Sequence, residues 1–289
     1  MSKTSLHPDT RLGYVHLTVS DLNRSVIFYR QALGFKEHRL EGDTAYLGAG
    51  GADLLVLTEH PGARFVSGTT GLFHLAILVP SRLALAQTLK RLADMQTRVD
   101  GFADHLVSEA IYLSDPDGNG IEIYRDRPRP EWEYYPNGHL KMATDPLDIH
   151  GILAEVEHHP EPWPGLPVDT ILGHMHLRVA DIARAESFYQ DILGFDLMTR
   201  YGPAASFLSA GGYHHHIGIN TWASAGASPP PPGSVGLRWF AIYLSDQADL
   251  SRVTDRVRQA GLPFEEQDEG LFLHDPSHNA MVLMPRPGK

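Results

Sequence analysis

One stretch of this chain is written twice. Residues 12–35 read LGYVHLTVSDLNRSVIFYRQALGF, and residues 172–195 read LGHMHLRVADIARAESFYQDILGF. His16 matches His176, Asp21 matches Asp181, Phe28-Tyr29 matches Phe188-Tyr189, and Leu33-Gly34-Phe35 matches Leu193-Gly194-Phe195. Repeats of this size are supersecondary units that cannot bury their apolar faces alone, so they pack on one another. A second kind of unit follows each copy, opening with GLFHLAILVP at Gly71 and with GLRWFAIYLSD at Gly236. Its Asp115-Pro116 turn recurs as Asp275-Pro276 at the same offset. The fold must therefore pair four related units, numbered one to four along the chain.

Each unit reads as βαβββ. YVHLTV and HMHLRV alternate apolar and polar residues with the period of a strand. Asp21 and Asp181 sit at helix N-cap positions, and Gly34 and Gly194 follow as C-terminal stops. Helices are also predicted over Arg82–Met95 and about Asp249–Ala260, each followed by short strands that turn through glycine. Residues 1–128 carry units one and two, and residues 169–289 carry units three and four. Between them, residues 129–168 read as a linker rich in proline and aromatics, with a short helix near Asp148–Glu157. Pro229–Pro232 excludes helix and central strand there and predicts an extended loop.

Composition narrows the chemistry. There are 17 histidines and no cysteine, so disulfides, thiolate nucleophiles and zinc–cysteine sites are excluded. Any metal would take imidazole and carboxylate ligands, which suit iron, manganese, nickel or zinc. A net charge of −11 opposes nucleic-acid binding, which needs a basic face. No apolar run reads as a secretory signal or membrane span. A cytoplasmic protein is expected, and an exposed barrel edge would allow pairing into a homo-oligomer.

The strand, the helix ending FY…LGF, the three strands and the DPDGNGIE turn together resemble the vicinal oxygen chelate superfamily. That group includes glyoxalase I, extradiol dioxygenases and bleomycin-binding proteins. The likeness covers nearly all of the chain outside the linker. It is nearest to bacterial two-domain extradiol enzymes of the catechol 2,3-dioxygenase type. The resemblance implies an α+β fold in which pairs of βαβββ units form half-open barrels with a metal in the cleft. Carried over residue by residue, the family's ligand positions fall on His174 in unit three, and on His74 and Glu122 in unit two. Units one and four place Tyr14, Trp239 and Val282 at those positions. The implied metal is Fe(II), with Mn(II) sharing the ligand set. A single site then requires unit two to pair with unit three, and unit one with unit four as a metal-free barrel in which His16 is structural.

The same resemblance implies a catalytic His at His215, within YHHHIGINTW on the unit's fourth strand, and a substrate-contacting Tyr at Tyr112. Strand alternation leaves the register among His214, His215 and His216 open by one. His105, His176, His214 and His216 are candidate substrate-facing residues. The implied reaction is extradiol cleavage of a catechol by O2 to a muconic semialdehyde. Two alternatives stand beside it: a glyoxalase-type isomerase or lyase, and a metal-free protein that binds an aromatic ligand.

Overall fold

The structure is a computed structural model and describes residues 5–157, 159, 163–267 and 270–287. Unit one comprises β1 (Arg11–Val19), α1 (Leu22–Gln31), β2 (Lys36–Glu41), β3 (Thr44–Gly48) and β4 (Asp53–Glu59). Unit two follows with β5 (Gly71–Leu78), α2 (Arg82–Asp94), β6 (Gly101–Asp104), β7 (Ser108–Ser114) and β8 (Gly120–Asp126). Between units two and three lies α3 (Ile149–Glu157). Unit three holds β9 (Ile171–Arg178), α4 (Ile182–Ser187), β10 (Asp196–Arg200), β11 (Ala205–Ser209) and β12 (Ile217–Asn220). Unit four holds β13 (Gly236–Leu244), α5 (Gln247–Gln259), β14 (Phe264–Gln267), β15 (Gly270–His274) and β16 (Ala280–Pro285).

α1 and α4 start where the sequence places them, while α5 starts two residues before the expected Asp249, capped by Asp246. Asp21 and Asp181 each accept a hydrogen bond from the backbone N–H three residues on, satisfying a donor that the first turn leaves unpaired. The two copies diverge at their far ends. α1 runs on regularly, whereas α4 gives way to a π-turn over Phe188–Leu193 that stops at left-handed Gly194.

The strands form two eight-stranded sheets. One has the order β14-β15-β16-β13-β1-β4-β3-β2, and the other β10-β11-β12-β9-β5-β8-β7-β6. Unit one therefore pairs with unit four, and unit two with unit three, as the distribution of ligand residues required. The seams are antiparallel, β1 against β13 and β5 against β9.

A different set of contacts joins consecutive units. The fully buried Tyr29 of α1 donates to Asp115 Oδ2 at 3.1 Å, and Tyr189 donates to Asp275 Oδ2 at 3.2 Å. Each aspartate also accepts from the backbone of its own turn and from the side chain of Asn119 or Asn279. The FY and DP motifs are thus two ends of one clasp. Strand pairing ties unit one to four and two to three, while the clasps tie one to two and three to four. No helix among the described residues is long and apolar enough to cross a membrane.

Candidate metal centre

Strand register brings the three expected ligands together. His174 on β9 lies opposite Ala76 on β5, and Ala76 lies opposite Glu122 on β8. His74 is two residues from Ala76 along β5 and so shares its face of the sheet. The small side chain of Ala76 leaves room above it, and the flanking histidine and glutamate close over that gap. His74 Nε2 is 3.0 Å from Glu122 Oε2, His174 Nε2 is 3.2 Å from the same oxygen, and the two nitrogens are 3.2 Å apart. All three residues are buried.

These distances fit a metal ion. In an octahedral shell with bonds of about 2.1 Å, neighbouring donor atoms stand about 3 Å apart. Two imidazole nitrogens and one carboxylate oxygen at that spacing match one face of such a shell and leave the opposite face open. Burial is the largest influence on His174 and lowers it to about 4, against the opposing pull of the Glu122 carboxylate. Burial alone would raise Glu122, but His174 and His74 together hold it well below the usual carboxylate range. Trp239 and Val282 hold the corresponding positions in the other sheet, where His16 packs edge-on against Trp239 and bonds Thr58 Oγ1 at 2.7 Å.

The cluster opens into a cavity of about 470 Å³, within the ordinary range for small-molecule sites. Its walls are largely apolar and aromatic, with Phe73, Phe102, Leu113, Phe207 and Trp222 among them. Tyr112, His105, His176 and His215 also face it. Tyr112 lies opposite Glu122 in the β7–β8 register. Burial first, and the Glu122 carboxylate second, push its phenol well above the ordinary value, so it keeps its proton. His105 Nδ1 is 2.6 Å from the Ala143 carbonyl, which can only accept, so Nδ1 carries the hydrogen. His105 Nε2 then accepts from the Tyr112 hydroxyl, also at 2.6 Å. The His176 ring stands edge-on to His74 at 4.9 Å, and its buried Nε2 has no hydrogen-bond partner.

The histidine run departs from the expected placement. β12 begins at Ile217, so His214–His216 lie in the approach to the strand, where His216 already donates its N–H to the Leu208 carbonyl and accepts from the Met175 N–H. His215 enters the cavity, its ring centroid 4.0 Å from that of His174. His214 and His216 stand outside the cavity walls. His216 Nδ1 turns to Ser209 Oγ (3.0 Å) and the Ala210 N–H (3.2 Å). His214 lies between His215 and Asp126. Burial pushes His215 well below the usual imidazole value.

Sequence reasoning missed two parts of this site. Met142, Ala143 and Thr144, inside the supposed linker, form one wall of the cavity. Asp126 ends β8 with nothing local in the sequence to mark it. A search for acidic residues on unit-two strands facing the histidine run could have raised it only once the pairing of units two and three was assumed.

The chain is similar to known proteins in sequence and in fold. The model of the Glyoxalase/Bleomycin resistance protein/Dioxygenase superfamily matches residues 11–123 and 171–280. The chain is 44% identical to a catechol-2,3-dioxygenase of Bacillus subtilis (strain 168) over 283 residues, 96% of this chain and 98% of that protein. It is 28% identical to a probable lactoylglutathione lyase of Vibrio cholerae over 126 residues, 40% of this chain and 91% of that protein. The crystal structure of glyoxalase I from Zea mays shares the fold with a TM-score of 0.58 at 17% identity, covering 96% of this chain and 92% of that one. With both of its repeats matched by the family model, and a relative 44% identical over nearly its whole length, the chain belongs to the Glyoxalase/Bleomycin resistance protein/Dioxygenase superfamily.

Proposed function

We propose that this protein is an extradiol dioxygenase that cleaves the ring of catechol or a substituted catechol beside the diol, using O2 and giving a muconic semialdehyde. The observation that carries the reading is the His74–Glu122–His174 cluster, three protein ligands with His215 against it, at the floor of an aromatic cavity. The 44% identity to a catechol-2,3-dioxygenase over nearly the whole chain supports it.

His74, His174 and Glu122 would hold Fe(II), with Mn(II) the alternative ion. When bound, such an ion supplies Lewis acidity, a one-electron redox couple and open coordination positions. The protein side chains do the rest. The aromatic walls hold the ring and exclude water, which strengthens every polar contact inside. His215, its ring in the cavity wall against His174, is placed to take a proton from a diol hydroxyl as general base. Tyr112, its hydroxyl hydrogen engaged by His105, offers oxygen lone pairs to orient the substrate. His176 presents its unpartnered Nε2 to a polar group of the ring. His214 and His216 support the wall rather than touch substrate. The cavity exceeds what a bare diol ring fills, so ring substituents are admitted. The chain acts in the cytoplasm as a small-molecule enzyme, without nucleic-acid or membrane partners.

The glyoxalase-type alternative asks the partner unit for a second carboxylate, and the cluster among the described residues holds one carboxylate, Glu122, with His174 the contribution of unit three. Reconstitution with Fe(II) under anaerobic conditions, then addition of catechol and air, should yield a yellow ring-opened product. No such product from catechol or several substituted catechols, with turnover of a methylglyoxal–thiol adduct instead, would overturn the reading.

A further inference from the structure

Asp126 and His214 form a hydrogen-bonded line that ends on His215. Asp126 Oδ1 lies 2.9 Å from His214 Nε2, and His214 Nδ1 lies 2.7 Å from His215 Nδ1. Asp126 comes from unit two, and both histidines come from unit three, so the line spans the barrel that holds the metal cluster. Tyr213 donates a second hydrogen bond to Asp126 Oδ1 at 3.3 Å, and the Tyr124 hydroxyl lies 2.8 Å from that of Tyr213. The Tyr213 ring packs on His214 with centroids 4.1 Å apart. His214 is fully buried and has little freedom to turn.

Donor and acceptor rules then fix where each hydrogen sits. An ionised carboxylate only accepts, so His214 must donate from Nε2. A neutral imidazole that donates from one nitrogen accepts at the other, so His214 Nδ1 receives a hydrogen. Among the described residues, the atom placed to give it is His215 Nδ1. His215 is thereby left with a bare Nε2, and its ring lies in the cavity wall against His174.

We propose that Asp126, acting through His214, is a positioning residue that fixes the His215 tautomer so that a lone pair on Nε2 faces the cavity. Neither Asp126 nor His214 touches substrate. The catalytic importance of the lone pair rests on the dioxygenase reading, but the tautomer itself does not. The principle is that of a carboxylate that orients a catalytic imidazole in hydrolases, where exchanging it for an amide keeps the geometry and yet leaves the wrong nitrogen protonated.

Asp126→Asn tests this. Its amide can donate to His214 Nε2, which reverses every hydrogen bond along the line and puts the hydrogen on His215 Nε2. Nitrogen-15 spectra of histidine-labelled, metal-free protein read the tautomer directly, with His215→Asn and His214→Asn identifying the signals. The expected result is hydrogen on Nδ1 of His215 in the unaltered protein and on Nε2 in Asp126→Asn. In the Fe(II)-loaded enzyme, Asp126→Asn should lower kcat by 10²-fold or more, with KM within about threefold and metal content unchanged. Asp126→Glu should restore part of kcat. A His215 that already carries its hydrogen on Nε2, or a tautomer indifferent to Asp126→Asn, would overturn the proposal. So would an unchanged kcat. If the unaltered enzyme turns over no catechol, the dioxygenase reading fails while the spectra still decide the tautomer.

Discussion

The two tyrosine–aspartate clasps predict a pair of matched stability losses. Tyr29 and Tyr189 are fully buried, and each donates its hydroxyl to a buried carboxylate, at 3.1 and 3.2 Å. Tyr29→Phe removes one oxygen, opens no apolar cavity and leaves Asp115 Oδ2 with the Asn119 side chain alone. A hydrogen bond to a charged group contributes about 1.5–3 kcal/mol, so a loss of about 2 kcal/mol is expected at pH 7. For a chain of 289 residues that corresponds to a fall in melting temperature of about 3 °C. Tyr189→Phe should cost a similar amount. The double variant should lose close to the sum, because the two clasps share no partner. The pH dependence has a definite sign. Burial raises Asp115 above its ordinary value, so its ionisation works against the fold as pH rises through the folded-state pKa. Tyr29 stabilises the ionised form, and removing it raises that pKa further. The penalty for Tyr29→Phe should therefore grow from acid toward neutral pH. Urea unfolding followed by fluorescence across that range measures it. A loss below about 0.5 kcal/mol at pH 7, or a large loss from one tyrosine and none from its twin, would refute the reasoning.

Two further predictions follow from packing and charge. Burial, and secondarily Arg238, depress His16 to about 4 from an ordinary 6.5. The stability this contributes is present above pH 6.5 and is lost as pH falls toward 4, to a total of about 2–3 kcal/mol. His16→Gln should flatten that limb of the pH–stability curve, and an unaltered limb would contradict the assignment. A methyl group on Gly173 would run into the Tyr124 hydroxyl, which is fully buried and held by Tyr213. Gly173→Ala should cost about 2–3 kcal/mol by overpacking and, because it moves His174, weaken metal binding at least tenfold. Calorimetry and a metal titration would check both effects.

The pairing of the sheets was legible before any coordinates because it follows from where ligands survive. His74 and Glu122 in unit two, and His174 in unit three, cannot share one ion unless those units adjoin. The N-caps at Asp21 and Asp181 were equally legible, since a cap is a local bond between neighbouring residues. The histidine run precedes the strand because its apolar continuation, Ile217–Asn220, carries the strand signal, yet His215 faces the cavity and His214 and His216 do not, as alternation through the run predicts. The role of residues 142–144 as a cavity wall left no periodic trace. They are placed by bonds to distant backbone, such as the isolated bridge between Asp104 and Asp145. Asp126 was invisible for the same reason: its side-chain partners Tyr213 and His214 lie 87 and 88 residues away and meet it only when units two and three pair.

Metal stoichiometry tests the central claim most directly. Protein purified without added metal, stripped with a chelator and titrated anaerobically with Fe(II), should bind one ion per chain. Glu122→Gln and His74→Ala should each abolish that binding while the chain stays folded, and Trp239→Phe in the other barrel should leave it intact. One ion bound equally well by Glu122→Gln, or two ions per chain, would contradict a single centre built from units two and three.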